Sequence, residues 1–188
     1  MSESRIYTQR VDVGPYEFFE YKVGYINKYA VVSDSIHKFK YEGNKNLGRD
    51  FGELMFNELP EGYDLDDYDY LLPVPSTPSS LSDRGYDTVC LIGKRLSELC
   101  GLPLAGDILK ALDRPSQVGL LWAERVKNVE GSFHLRNPSR VDGKSFVVLD
   151  DVTTTGSTLN EVILTLSTAN PRRLDALVYA KRFISSDG

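Results

Sequence analysis

The sequence predicts an α/β fold built on an open, mainly parallel sheet with helices on both faces. Three observations carry this. Apolar runs at residues 70–75, 102–105, 146–149 and 174–180 read as strands. Between them, apolar residues recur at helical spacing, and strands that alternate with helices build parallel sheets. The run Phe146, Val147, Val148, Leu149 is apolar without a break, as suits a strand buried on both faces.

Residues 1–33 are rich in Tyr, Phe and Val, with Gly14-Pro15 as a turn signal. They predict a small N-terminal β-rich hood of two or three strands. A helix follows over residues 47–59, with Leu47, Phe51, Leu54 and Met55 on one face and Pro60 as its stop. Residues 61–69 are acidic and tyrosine-rich and read as a solvated linker. The strand at 70–75 runs into a proline-stiffened loop, and residues 79–83 are polar. A second helix spans 84–100, with Val89, Ile92, Leu96 and Leu99 on one face and Gly101 beyond it. The strand at 102–105 completes a βαβ unit. Residues 113–132 show little periodicity and read as a long loop, with a short helix around 122–127; loops of that length are often lids or binding loops. The chain is expected to form one domain, 1–188, comprising the segment 1–33 and a core 34–188.

Composition narrows the function classes. The chain has 188 residues, 41% of them hydrophobic, enough for one sizeable core. Its net charge of −5 argues against a nucleic-acid-binding surface. The two cysteines, Cys90 and Cys100, fall on one helix, and no Cys/His cluster has zinc spacing. Of the two histidines, His134 stands between Phe133 and Leu135 and reads as structural. No apolar run is long enough to span a bilayer and no secretory signal is present, so a cytoplasmic location is expected.

The chemistry concentrates in residues 147–159, VVLDDVTTTGSTL. An apolar strand meets two carboxylates, Asp150 and Asp151. A small hydroxyl-rich loop follows, then a helix on which Leu159, Val162, Ile163 and Leu166 share a face. In parallel sheets ligands sit beyond the carboxyl ends of the strands. A helix N-terminus there offers unpaired N–H groups and a favourable dipole to an anion. Gly156 lets the backbone approach a phosphate closely, and Thr154, Thr155, Ser157 and Thr158 add hydroxyl donors. The carboxylates can accept from two vicinal sugar hydroxyls and attract Mg²⁺, directly or through water. A Walker B reading of the acid pair fails. Gly143-Lys144-Ser145 is present, but the first glycine of a Walker A loop is replaced by Pro138, and the triplet precedes a strand instead of following one.

The same run resembles the phosphoribosyl pyrophosphate (PRPP) motif of type I phosphoribosyltransferases: apolar residues, an acid pair, then a T-T-G-x-T loop. That resemblance implies a type I phosphoribosyltransferase fold. It assigns the ribose hydroxyls to Asp150 and Asp151, and the 5′-phosphate to the loop of Thr153, Thr154, Thr155, Gly156, Ser157 and Thr158. Over residues 30–180 the chain further resembles the ComF-like phosphoribosyltransferases. Residues 36–43, IHKFKYEG, look like that family's lysine-tyrosine stretch. Leu72-Pro73-Val74-Pro75 with Arg84-Gly85-Tyr86 looks like its P-V-P strand and R-G-aromatic helix start. Arg114, Gln117, Leu120, Glu124, Arg125, Asn128, Gly131 and Phe133 follow its R…Q…L…ER…N…G-x-F pattern. Three departures stand out. The family's four-cysteine zinc ribbon has no counterpart, the stretch before R-G is Ser79-Ser80-Leu81-Ser82-Asp83, and the usual F-N-Q is Tyr86-Asp87-Thr88.

The resemblance implies an Mg²⁺-dependent transferase of nucleotide metabolism, with PRPP as donor and an undetermined small-molecule acceptor. Transfer passes through an oxocarbenium-like transition state. Residues Pro75, Ser76 and Thr77 with Arg84 are the expected pyrophosphate loop, and Arg114 and Arg125 are further cationic clamps at a catalytic centre formed with Asp150 and Asp151. Lys38 and Lys40 are expected to be solvated or to face a partner. The 6-oxopurine transferases carry a carboxylate base where this chain has Thr154, which disfavours hypoxanthine and guanine as acceptors. A non-catalytic PRPP or nucleotide sensor, and a competence-associated accessory role in DNA uptake, are the alternatives. A homodimer is left open.

Overall fold

The computed structural model describes residues 5–14, 17–113 and 131–183. In chain order the strands are β1 (Arg5–Gly14), β2 (Glu17–Lys28), β3 (Tyr70–Pro73), β4 (Leu109–Ala111), β5 (Phe133–Leu135), β6 (Ser145–Thr153) and β7 (Arg173–Lys181). The helices are α1 (Tyr29–Tyr41), α2 (Leu47–Asn57), α3 (Pro78–Arg84), α4 (Thr88–Cys100) and α5 (Ser157–Ser167).

Five strands form one sheet in the order β1-β2-β7-β6-β3. The pairs β2·β7, β7·β6 and β6·β3 are parallel, and only β1 runs antiparallel, to β2. The fold is therefore the expected mainly parallel α/β sheet. Strand β6 lies inside the sheet, between β7 and β3, and is buried along almost its whole length. Its alternate residues enter opposite cores. Phe146 and Val148 pack with Leu159, Val162, Ile163 and Leu166 of α5. Val147 and Leu149 pack with Phe39 of α1, Phe51 and Met55 of α2, and Ile92 and Leu96 of α4. Each such side chain contributes roughly 1.5–3 kcal/mol on full burial. Helices α2 and α4 come close because Gly52 has no side chain: an added Cβ would lie 2.7 Å from Arg95 Cβ and 2.8 Å from the Ile92 carbonyl oxygen.

Several local expectations change. The N-terminal strands do not stand apart as a cap. They are two long strands that extend the main sheet through β2·β7. Residues 61–69 are not a solvated linker, because Tyr63, Leu65 and Tyr68 are buried against the helical side of the sheet. The helix expected over 84–100 begins four residues later, at Thr88, and a separate short helix precedes it. Gly85, at φ +72°, closes α3, and Asp87 starts α4 by accepting the Cys90 N–H at 2.9 Å. The polar residues 79–83 are thus helical, beginning at a Thr77 cap. Residues 102–105 make only a single parallel bridge, Leu71 to Leu104. His134 is exposed on β5, opposite Lys110. Cys90 and Cys100 share α4 as free thiols.

Candidate functional site

Asp150 and Asp151 sit near the carboxyl end of β6, 8% and 5% exposed. Their environments differ. Both oxygens of Asp151 are engaged. Lys40 Nζ donates to Oδ1 at 2.8 Å, and Thr88 Oγ1 donates to Oδ2 at 3.1 Å. The Thr88 oxygen in turn accepts from Arg84 Nη1 at 3.4 Å. Asp150 uses one oxygen, Oδ1, to accept the Asp151 N–H at 2.8 Å. No donor among the described residues engages its Oδ2, and the residue lines a cavity of about 440 Å³. Burial first, and the Asp151 charge second, hold the Asp150 carboxyl well above the usual carboxylate range, while Lys40 acts in the opposite sense.

Lys40 is the clearest correction to the sequence reading. It is neither solvated nor partner-facing: its side chain is 23% exposed and ends on Asp151. Helix α1 places it there. Ile36 and Phe39 are buried in the core, and Tyr86 donates its hydroxyl hydrogen to the Phe39 carbonyl, seating the end of α1 over the acid pair. Lys38 does meet the expectation, pairing with Asp34 at the surface at 2.8 Å.

The loop after β6 forms a second, smaller hollow of about 160 Å³. It is lined by Asp150, Val152, Thr153, Thr154, Thr155, Gly156, Ser157 and Thr158. Gly156 adopts φ +83° at the N-terminus of α5, a conformation that side chains resist. The hydroxyls of Thr155 and Ser157 lie 2.7 Å apart. Gln9 of β1 lies over this loop. Its Nε2 donates to the Thr155 carbonyl at 3.4 Å and to Asn160 Oδ1 at 3.0 Å, and Tyr21 donates to the same Asn160 oxygen at 2.7 Å. A Cβ on Gly156 would collide with the Gln9 carboxamide. The glycine therefore answers two demands, backbone conformation and the approach of β1.

Across the larger cavity from this loop stand Pro75, Ser76, Thr77, Ser80 and Arg84. The four residues expected as a pyrophosphate loop line one cavity with the acid pair. Two of their groups already have work. The Ser76 N–H donates to Asp87 Oδ2 at 2.9 Å, and Thr77 Oγ1 caps α3 by accepting the Ser80 N–H at 3.2 Å. Val74, Ala111, Leu112 and Phe133 supply an apolar wall. The chain on either side of residues 114–130 is tied by carboxylates. Asp113 accepts from the Ser79 N–H and hydroxyl, and buried Glu161 accepts from the N–H groups of Gly131 and Ser132. Arg114 and Arg125 lie outside the described residues, as do Gln117, Leu120, Trp122, Glu124 and Asn128.

Lys40, Asp87, Thr88, Gln9 and Asn160 were not singled out as site residues from sequence. One signal was available. The triplet Tyr86-Asp87-Thr88, which departs from the ComF-like pattern, supplies a hydroxyl to α1, a carboxylate to the Ser76 loop and a hydroxyl to Asp151. The donor set at the pair suits Mg²⁺ in kind: hard carboxylate oxygens, one of them open. Among the described residues no group of three or more potential metal ligands gathers, so a metal here would take its remaining ligands from water and substrate.

Residues 99–184 match the phosphoribosyl transferase domain family. The chain is also 27% identical over 136 residues to Competence protein F of Haemophilus influenzae, a match covering 70% of this chain and 59% of that protein. The chain is thus similar to phosphoribosyl transferase domains over its C-terminal part and to Competence protein F over most of its length. It spans less than two thirds of the curated relative's length. Among solved structures it is similar to a glutamine PRPP amidotransferase from B. subtilis complexed with ADP and GMP. That likeness has TM-score 0.45 and 17% identity, over 76% of this chain and 30% of that one. It is also similar to the UMP synthase of Leishmania donovani, with TM-score 0.39 and 15% identity over 93% and 29%. No helix among the described residues is long and apolar enough to cross a membrane.

Proposed function

We propose that this chain is a ComF-like phosphoribosyltransferase, which binds PRPP and transfers its ribose 5-phosphate to a small-molecule acceptor, with Mg²⁺ as cofactor. The observation that carries the reading is the continuity of the phosphate-sized loop hollow with the acid-pair cavity, since Asp150 and Thr158 line both. In this reading the amides and hydroxyls at the start of α5 hold the 5′-phosphate, and Asp150 accepts from the ribose hydroxyls. Arg84 and the Thr77 region face the leaving diphosphate. Mg²⁺, held by Asp150 directly or through water, supplies neutralisation of the diphosphate charge. Val74, Leu112 and Phe133 exclude water from the side where an acceptor would approach.

The test is PRPP calorimetry on wild type and Asp150→Asn. Loss of binding in the variant, with unchanged thermal unfolding, is the expected result. Undiminished binding would remove the site assignment.

A second reading is a PRPP or nucleotide sensor without turnover. Two observations favour it: both oxygens of Asp151 are engaged by Lys40 and Thr88, and no carboxylate occupies position 154. Pyrophosphate release across a panel of bases and amines separates the two, because turnover with any acceptor eliminates the sensor. The similarity to Competence protein F supports a setting in DNA uptake for either reading. Direct DNA contact is disfavoured by the net charge of −5, and salt-sensitive DNA binding by the isolated chain would reverse that.

A further inference from the structure

We propose that Lys40 is an internal cation standing where a divalent ion would neutralise the acid pair, so that a phosphorylated ribose can bind without metal and added metal competes with the Lys40 side chain. The inference rests on reading the cavity as a PRPP site, and it concerns what balances the charge of that site.

Three observations carry it. The first is placement. Lys40 Nζ lies 2.8 Å from Asp151 Oδ1 while the pair is almost fully buried. Two adjacent buried carboxylates demand a counter-charge, and this ammonium is the one in hydrogen-bond contact with them among the described residues. The second is occupancy. With Thr88 on Oδ2, each oxygen of Asp151 already accepts from a protein donor, so a metal reaching Asp151 would have to share an oxygen with Lys40 or Thr88, and beside Lys40 it would meet a like charge. The third is position in the cavity. Lys40 lines the 440 Å³ space together with Arg84, Ser76 and Thr77. It also lines an adjoining space of about 480 Å³ with Arg84 and Ser80. A positive charge held at that boundary faces the region where the diphosphate of the donor would lie. A lysine suits this role because its ammonium is a compact point charge on a flexible stem, able to leave one acceptor for another.

The decisive comparison uses Mn²⁺ alone, titrated into the ligand-free full chain and followed by the loss of free-ion paramagnetic resonance signal. Lys40→Met is expected to gain Mn²⁺ affinity by about tenfold or more, within the roughly 5- to 150-fold range of ordinary site coupling. Lys40→Arg is expected to behave as wild type. Lys40→Gln serves if the Met variant fails to fold, judged by thermal unfolding. Unchanged Mn²⁺ affinity in the folded Met or Gln variant overturns the proposal and leaves Lys40 as an ordinary ion pair. A second arm measures PRPP binding by calorimetry in excess EDTA. Lys40→Met is expected to lose about tenfold in affinity there and to recover it with Mg²⁺. PRPP affinity that is equal in wild type and Lys40→Met under EDTA also overturns the proposal. Absence of PRPP binding in every variant, beside a gain of Mn²⁺ affinity, refutes the donor reading and leaves the Lys40 assignment standing.

Discussion

The two sides of the cavity are built in opposite ways. The side with the loop hollow, proposed to hold the phosphate, is one continuous stretch, β6 through the first turn of α5, in which neighbours in sequence are neighbours in space. The opposite side is assembled from the end of α1, the loop after β3, and the starts of α3 and α4. The continuous side leaves an oxygen of Asp150 open to the cavity. The assembled side ties Asp151 by both oxygens and occupies the Ser76 amide. One side is poised to accept a ligand, and the other holds itself together through groups that a ligand would have to share.

This contrast predicts unequal effects of substitution. The largest is expected for Asp150→Asn, which alters the acceptor proposed for two sugar hydroxyls. Charge-assisted hydrogen bonds are worth roughly 1.5–3 kcal/mol each, so PRPP affinity should fall by about a hundredfold or more in calorimetry. Gly156→Ala comes next. It forces an alanine to φ +83° and into the Gln9 carboxamide, so it should lower both PRPP affinity, by about tenfold or more, and the midpoint of thermal unfolding. Adding Gln9→Ala should recover part of the loss, because it removes the collision and leaves the backbone strain. Full recovery would show that the glycine serves only the contact with β1.

Asp151→Asn should have an intermediate effect, about tenfold on affinity. Its main consequence is the loss of a counter-charge for Lys40, which stability measurements should register. Should it equal or exceed Asp150→Asn in binding, the division of labour within the pair is wrong. The smallest change is expected for Gln9→Ala alone. It deletes hydrogen bonds to Thr155 and Asn160, each worth about 1 kcal/mol net, and should weaken PRPP binding by only a few fold.

The same contrast explains what could be read from sequence. The strand, acid pair, loop and helix of residues 145–167 were legible because their order along the chain is their order in the site. The parallel sheet was legible too, since a strand buried on both faces writes itself as the unbroken run 146–149. Lys40 was not. A lysine in a charged stretch gives no sign of the carboxylate 111 positions away that it meets. Asp87 and Thr88 were visible as departures from a pattern, yet their tasks depend on where α4 begins, and the sequence places that start at residue 84 instead of Thr88. The place of residues 5–28 in the main sheet was hidden for a related reason. Alternating aromatic and valine residues announce strands, but pairing β2 with β7 is a tertiary choice made across about 150 residues of chain.

A crystal structure of the chain soaked with ribose 5-phosphate tests the central claim most directly. The phosphate is expected within hydrogen-bond distance of the amides of residues 154–158, with the ribose hydroxyls on Asp150 and Lys40 still near the pair. A phosphate bound instead between Lys40 and Arg84, with the loop at 153–158 vacant, would contradict the account.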